Sequence, residues 1–234
     1  MTASDGLADD AATDAPCRPD PVAFIRANML IAPVPSLPEI LLYTAHPATG
    51  LRRLVDFDEE EAEPQPPYWA YPWAGGAVLA RYILDRPQVV AGRRVLDLGA
   101  GSGLVSIAAA KAGARTVIAA EIDRNGVAAL GLNAAANDVA IAVIGEDITA
   151  GTPPAVDIVT VGDVFYAQDV AERVIPFLDR CRAAGMEVLI GDPGRTYLPR
   201  SRLRLLAEYK VPDFGETKDT AMKPSGVFSF EPGA

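Results

Sequence analysis

The sequence predicts an α/β fold, with a mostly parallel sheet covered by helices on both faces and completed by an antiparallel strand pair. An apolar strand at 94–98 breaks into a glycine-rich turn and continues as a helix of small residues. Short apolar strands then alternate with helical segments, as in a parallel sheet covered on both faces. After a basic-faced helix predicted over 199–209, strand-like segments at 209–216 and 226–231 indicate the antiparallel pair.

The 234 residues divide into three parts. Residues 1–20 contain almost no large apolar side chain, so we expect a disordered acidic tail. Residues 21–65 predict a small appendage, and residues 66–234 predict the main domain. The predicted elements of the appendage are a helix followed by a two-stranded hairpin, at 22–32, 39–44 and 51–55.

The charge balance and the cysteine count exclude several classes of protein. A formal net charge of −10 argues against a nucleic-acid partner and favours basic protein surfaces or small molecules. No run of 18 apolar residues occurs and the N-terminus is acidic, so we expect a cytoplasmic protein without a membrane segment. Cys17 and Cys181 are far apart and form no Cys-x-x-Cys motif, so neither a disulfide framework nor a metal site is predicted.

The glycine-rich turn has the spacing of a ligand-binding loop. Gly99, Gly101 and Gly103 stand at the first, third and fifth positions, whereas a dinucleotide fingerprint needs a glycine where Leu104 stands. Asp97 precedes the turn and would repel a pyrophosphate. A carboxylate there suits a cationic ligand, such as the amino-acid portion of S-adenosylmethionine. The alternative is a glycine turn that binds no ligand.

Acidic residues follow the next two strands, where an open parallel sheet binds its ligands. Glu121 ends the second strand about 20 residues beyond the loop, where an acid accepts hydrogen bonds from ribose hydroxyls. Asp123 is predicted to cap the following helix. Asp147 follows the third strand and either accepts the adenine amino group or is a solvated turn acid.

The fourth strand ends in Asp163 and Tyr166, which are expected to face the same crevice as Gly99. The structural alternatives are a helix N-cap for Asp163 and core packing for Tyr166. The aromatic segment 66–76, which holds both tryptophans, is either a clamp between the appendage and the core or a wall of the ligand site. In the second interpretation Trp73 lies over a sulfonium cation.

Two polar features stand apart from these motifs. The acidic run at 56–63 is either a solvated loop or a surface that attracts a lysine-bearing partner. The single histidine, His46, lies beside a proline in a predicted turn and is expected to be a surface residue, although its chemistry would permit acid–base work.

The motifs together resemble those of a known family. Residues 95–103 read Val-Leu-Asp-Leu-Gly-Ala-Gly-Ser-Gly and resemble motif I of the seven-strand S-adenosylmethionine-dependent methyltransferases. Residues 163–166, Asp-Val-Phe-Tyr, resemble the post-II motif of the protein lysine methyltransferases among them. With 66–76 and Gly-Asp-Pro-Gly-Arg at 191–195, the chain is similar to the electron transfer flavoprotein β-subunit lysine methyltransferase family.

The resemblance implies a Rossmann-like seven-stranded sheet, S-adenosylmethionine as methyl donor, and lysine methylation on a folded protein, with the flavoprotein β-subunit as the expected partner. It also implies that Asp163 orients the acceptor amine, while Phe165, Tyr166 and Trp73 desolvate the channel. The mitochondrial targeting of eukaryotic members has no counterpart here, which favours a bacterial cytoplasmic enzyme. A small-molecule methyltransferase and a non-catalytic binding module are the alternatives.

Overall fold

The computed structural model describes residues 19–54, 66–212 and 224–233. The tail at 1–18, the acidic run at 56–63 and the segment 213–223 therefore lie outside the described residues. The strands are β1 Leu30–Val34, β2 Leu37–Thr44, β3 Arg94–Leu98, β4 Thr116–Ala120, β5 Ala142–Ile144, β6 Ile158–Gly162, β7 Glu187–Asp192, β8 Leu203–Lys210 and β9 Pro224–Phe230. The α-helices are α1 Pro21–Asn28, α2 Ala74–Asp85, α3 Leu104–Lys111, α4 Arg124–Ala136 and α5 Gln168–Ala183.

Seven strands form one sheet in the order β5-β4-β3-β6-β7-β9-β8. β5, β4, β3, β6 and β7 run parallel, and β9 pairs antiparallel with both β7 and β8. The strand order reverses at β3, so β4 and β6 lie on opposite sides of it. A crevice for ligands forms outside the carboxyl ends of the strands at such a reversal. The predicted sheet with its antiparallel C-terminal pair is confirmed.

The hydrophobic core occupies both faces of this sheet. One cluster buries α2 and α3 together with the β1–β2 hairpin, including Leu79, Ile83 and Ile107. The second cluster buries α5 through residues such as Phe177 and Leu178. Each helix of the described residues is too short or too polar to cross a bilayer.

The predicted hairpin of the appendage was wrong in its pairing. β2 pairs antiparallel with β1, which precedes it, and Leu51–Leu54 is a short 3-10 helix. The predicted helix at 22–32 ends at Asn28, so its last residues belong to β1. Pro33 lies within β1, which pairs on one side only with β2, so its missing N–H can face the free edge of the strand.

Two buried asparagines of α4 attach the hairpin to the main domain. The Asn137 amide accepts from the Leu41 N–H (3.0 Å) and donates to the Leu41 carbonyl (2.6 Å), as a neighbouring strand would. Asn133 accepts from the Tyr43 N–H (2.8 Å) and donates to the Ser102 carbonyl (2.8 Å) in the glycine loop. One side chain therefore bridges the appendage and the loop.

The predicted basic helix at 199–209 was also wrong. A 3-10 turn at Arg200–Arg202 leads directly into β8. β8 is the edge strand and most of its residues stay partly exposed, so its sequence lacks the clear apolar alternation of a strand buried on one face. The predicted strand at 209–216 contains only the last two residues of β8, and 213–216 lie outside the described residues.

Three glycines let the start of α2 approach the sheet. A Cβ atom at Gly191 would overlap the Gly75 carbonyl oxygen, and one at Gly75 would lie 2.8 Å from the Asp163 nitrogen. A Cβ at Gly162 would lie 2.9 Å from the Gly76 Cα. The N-terminus of α2 thus lies directly on the carboxyl ends of β6 and β7, at backbone-to-backbone distance.

Gly191→Ala is expected to lower the free energy of unfolding by about 2–4 kcal/mol, because the new methyl group meets rigid backbone. Gly131→Ala is the matched control: Gly131 lies in α4 with nothing within 4 Å of a Cβ, so alanine should stabilise by up to about 1 kcal/mol. Urea denaturation of both variants measures the difference. Equal effects of the two substitutions would contradict the close approach of α2.

Candidate active site

A cavity of about 350 Å³ opens at the carboxyl ends of β3, β4 and β6. Of the ten residues predicted to form the site, eight line it: Trp73, Asp97, Gly99, Gly101, Glu121, Asp147, Asp163 and Tyr166. Gly103 and Phe165 do not. The order of the strands brings these residues together from positions spread over almost 100 residues of sequence.

The glycine loop has the backbone conformation that its sequence predicts. Gly99, Gly101 and Gly103 have positive φ angles of 69°, 53° and 82°, which other residues rarely adopt. A Cβ at Gly99 would lie 3.0 Å from the Val164 side chain, and both residues line the cavity. Gly103 serves packing instead, because a Cβ there would lie 2.9 Å from the Leu130 side chain on α4.

Asp97 fixes the loop from below. Its buried carboxylate accepts from the Ser106 N–H (2.9 Å) and hydroxyl (2.6 Å), and from the Thr160 hydroxyl (3.1 Å). Burial raises the pKa of Asp97 to about 6, although these hydrogen bonds oppose the shift. The carboxylate thus ties the first turn of α3 to β6 while it also lines the cavity.

Glu121 holds the other side of the loop. Its two oxygens accept from the Gly101 N–H (2.7 Å) and the Asp123 N–H (2.7 Å), and burial raises its pKa. Gly126 leaves room for this side chain, since a Cβ there would lie 2.9 Å from the Glu121 Cγ. Asp123 accepts from the Asn125 N–H (2.7 Å) at the start of α4, so its predicted role as a helix cap is confirmed.

Asp147 lines the cavity near the end of β5. Its Oδ1 accepts from the Thr149 N–H (2.8 Å) and hydroxyl (2.6 Å), and its Oδ2 pairs with Arg173 at 3.1 Å. The Thr149 hydroxyl is the largest cause of its lowered pKa. The acid is therefore a structured turn residue that also borders the cavity.

Asp163 is held at both oxygens and has an unusual backbone conformation. Its φ is 59°, a left-handed value that asparagine and aspartate tolerate better than most residues. Oδ2 accepts from the Gly75 N–H at 2.7 Å, and Oδ1 accepts from Arg195 Nε at 2.6 Å. The alternative in which Asp163 caps the following helix was wrong, because Ala167 occupies that position in α5. Asp163 instead caps α2, which the close approach of the glycines brings to it.

Arg195 is the site residue that the sequence did not single out. Its guanidinium pairs with Asp163 and lies over the Trp73 ring, 5.7 Å from the ring centre. Asp192 Oδ1 fixes the turn below it by accepting from the Gly194 N–H (2.6 Å) and the Arg195 N–H (2.7 Å). The turn-forming composition of 191–195 was the available signal, but it does not show where an arginine side chain reaches.

The aromatic segment 66–76 both clamps the appendage to the core and forms a wall of the cavity. Trp69 is buried against Ile25 and Met29, and so clamps the appendage to the core. Trp73 lines the cavity and donates from Nε1 to the Tyr68 carbonyl at 2.6 Å.

Tyr166 belongs to the same aromatic wall. It stacks on Tyr68 with ring centres 4.6 Å apart. Burial raises the pKa of Tyr166 to about 12, so its hydroxyl stays protonated. The core-packing alternative for Tyr166 does not fit, because 38% of its surface is exposed.

Phe165 and His46 lie away from the cavity. Phe165 is fully buried in the cluster beneath α5, so its expected place in the channel wall was wrong. In the turn after β6, Phe165 points into the core, whereas Asp163, Val164 and Tyr166 line the cavity. His46 is half-buried in its turn and accepts from the Ala48 N–H at 3.3 Å. Within the described ranges, no cluster of three metal-ligating side chains occurs.

Asp192 gives the site a pH-dependent contribution to stability. Its Oδ2 is buried without a hydrogen-bond partner, and burial raises its pKa to about 6. A raised folded-state pKa stabilises at low pH, and this stability is lost as the pH rises from about 4 to about 6.

Asp192→Asn keeps an acceptor for the two turn N–H groups and removes this ionisation. Between about pH 4 and pH 7, the variant should therefore gain about 2 kcal/mol of unfolding free energy relative to the wild type. Urea denaturation across this pH range measures the difference. Parallel pH curves for the two proteins would contradict the raised pKa.

Comparison with known proteins agrees with the geometry of the cavity. Residues 79–181 match the family described as Ribosomal protein L11 methyltransferase (PrmA). Among solved structures, the ribosomal protein L11 methylase from Lactobacillus delbrueckii subsp. bulgaricus superposes with a TM-score of 0.51 at 21% identity. The match covers 70% of this chain and 81% of that one, and at this identity it supports the fold alone.

Curated relatives are more informative about the whole chain. The electron transfer flavoprotein beta subunit lysine methyltransferase of Xenopus laevis is 35% identical over 229 residues, which cover 94% of this chain and 89% of that protein. The protein of the same name from Homo sapiens is 34% identical over 224 residues, covering 92% and 83%. The chain therefore belongs to the electron transfer flavoprotein beta subunit lysine methyltransferase family, and it is a protein-lysine methyltransferase.

Proposed function

We propose that this enzyme transfers methyl groups from S-adenosylmethionine to lysine side chains of the electron transfer flavoprotein β-subunit. The observation that carries the proposal is the meeting of Asp163 and Tyr166 with the glycine loop at one cavity. A binding loop for the methyl donor and an acid with aromatic neighbours for the acceptor are then adjacent. The names of the relatives supply the substrate protein.

The residues of the cavity fit the proposed cofactor. Gly99 and Gly101 line the cavity without a side chain, so a ligand can approach the main chain of the loop there. Glu121 stands at the end of β4, where ribose hydroxyls are bound in such folds, and Asp147 borders the cavity beyond it. Gly99, Gly101, Glu121 and Asp147 would hold the cofactor, with Asp97 and Gly103 supporting the loop from behind.

The chain contributes mainly position and exclusion of water. When bound, S-adenosylmethionine would supply a methyl group on a positively charged sulfur. The neutral lysine nitrogen would bond to the methyl carbon after its proton had gone to solvent, and the C–S electrons would leave with the sulfur as a neutral thioether. Asp163 lines the cavity beside the glycine loop and the aromatic rings, where its carboxylate would orient the acceptor amine by accepting a hydrogen bond from it. The rings of Tyr68, Tyr166 and Trp73 would exclude water from the acceptor, and exclusion of water favours its neutral form. Such positioning accounts for much of the acceleration in reactions of this kind.

The proposal is tested by incubating the purified protein with radiolabelled S-adenosylmethionine and a lysate of its own source cells. We expect one labelled protein, which mass spectrometry identifies as the flavoprotein β-subunit carrying methylated lysine. Label on another protein would refute the proposed substrate. Label confined to small molecules would refute protein methylation altogether.

Asp163→Ala in the same assay should reduce label by at least about 100-fold, because the acceptor loses its orienting group. Asp179→Ala is the matched control, since Asp179 also pairs with an arginine at 2.6 Å but lies outside the cavity. Calorimetry should give both variants nearly wild-type cofactor affinity. Full activity of Asp163→Ala would remove this residue from the reaction.

Gly99→Arg is expected to weaken S-adenosylmethionine binding at least about 100-fold, since the side chain would fill the cavity beside Val164. Gly92→Arg is the control: Gly92 has nearly the same φ, 71° against 69°, and nothing within 4 Å of a Cβ. Both variants carry the same backbone strain, so calorimetry isolates the effect of blocking the cavity. Equal affinity of the two variants would contradict the proposed binding loop.

A further inference from the structure

Arg195 interacts with two residues of the proposed acceptor site, Asp163 and Trp73. Its Nε donates to Asp163 Oδ1 at 2.6 Å, and its guanidinium lies over the Trp73 ring at 5.7 Å. The Asp163 side chain is only 5% exposed, and that of Arg195 is 27% exposed. The acid that faces the acceptor is therefore already neutralised by a fixed positive charge inside the cavity wall.

The contact between Arg195 and Asp163 affects the reaction because the acceptor lysine must lose a proton before its nitrogen can react. A free lysine has a pKa of about 10.4, so most acceptor side chains arrive as ammonium ions. An unpaired buried carboxylate would stabilise the ammonium form and hold it unreactive. A nearby positive charge has the opposite effect, since it repels the ammonium and favours release of its proton to solvent.

We propose that Arg195 is a positioning residue that neutralises Asp163, so that the carboxylate orients the acceptor lysine without trapping it as an ammonium ion. The inference rests on the proposed lysine methylation. It assigns a function to the turn at 191–195, which holds Arg195 in place through the two hydrogen bonds to Asp192. The arginine then belongs to the apparatus that sets the protonation of the acceptor, although it makes no contact with the transferred methyl group.

Other titratable groups face the same cavity and remain unchanged when Arg195 is replaced. The Asp192 carboxyl interacts electrostatically with both members of the pair, and the phenols of Tyr68 and Tyr166 line the same cavity. The remaining ones that line the cavity are Tyr71, Asp97, Glu121, Asp123, Glu146, Asp147 and Arg173. Their contribution is common to both proteins, so a comparison of variant with wild type isolates the charge at position 195.

The test is the pH dependence of methyl transfer by Arg195→Met to purified electron transfer flavoprotein β-subunit, measured between about pH 6.5 and pH 10. The pH profile of kcat reports the bound acceptor, whereas that of kcat/KM reports the free enzyme and free lysine. We expect the kcat profile of the variant to move up by about one to two pH units. Near neutral pH, kcat and KM should then fall together by about 10- to 100-fold, because the ammonium form binds more tightly but does not react.

The ratio kcat/KM should stay within about threefold of the wild type, which distinguishes this effect from a damaged site. Arg200→Met is the control, since Arg200 lies in the next turn, bonds the Gly194 carbonyl at 2.9 Å and does not line the cavity. It should keep the wild-type profile. If the melting temperature of Arg195→Met lies well below that of the wild type, the same test is made with Arg195→Gln.

An unshifted kcat profile, or a loss of kcat/KM at every pH, would overturn the proposal. Wild-type protein that fails to methylate the β-subunit would instead refute the proposed function, so the two failures are distinguishable.

Discussion

The site depends on the close contact between the N-terminus of α2 and the ends of β6 and β7. Gly75 and Gly191 meet there with no room for a Cβ atom on either. This contact lets the Gly75 N–H reach Asp163, which otherwise would need another donor for a buried oxygen. The left-handed backbone of Asp163 is sustained by the same contact, in keeping with the tendency of strained residues to cluster at functional sites.

The acidic residues of the cavity also hold separate segments of the backbone together. Asp97, Glu121 and Asp163 each accept at least one backbone N–H from a separate segment of chain. A buried carboxylate without such donors would be costly, so the hydrogen bonds make these acids tolerable inside the protein. Replacing one of these acids removes a structural hydrogen bond together with a group of the site. Cofactor binding and turnover must therefore be measured separately in every variant.

Sequence reasoning predicted the parts of the fold whose signals are local. The strand at 94–98, its glycine loop and the cap at Asp123 depend on short-range patterns of burial, positive φ and hydrogen bonding, and all three were correct. Two other features depend on contacts with distant parts of the chain. β2 pairs with whichever neighbouring segment offers a free strand edge, and the segment at 203–210 becomes the strand β8 because it pairs with β9. No residue within either segment specifies these contacts, and both predictions were wrong.

The same distinction applies to the candidate site. Asp163 and Tyr166 could be placed at the crevice because parallel strands end on one side of a sheet. Phe165 could not be excluded from the predicted site. The direction of its side chain depends on the backbone conformation of the turn, and the composition of the turn does not determine that conformation. Arg195 was missed because no local pattern in the sequence shows which residue its side chain reaches. Its importance comes from a pairing across 32 positions of sequence.

The appendage and the active site share their supports, which gives the small N-terminal elements a function in the arrangement of the cavity. Asn133 bonds both the hairpin strand β2 and the Ser102 carbonyl of the glycine loop. A few residues apart, Trp69 anchors the appendage while Trp73 lines the cavity. Because side chains in a close-packed interior move little independently, a shift of the hairpin is transmitted to both sides of the site. The appendage is thus part of the framework that positions the glycine loop and the aromatic wall of the cavity.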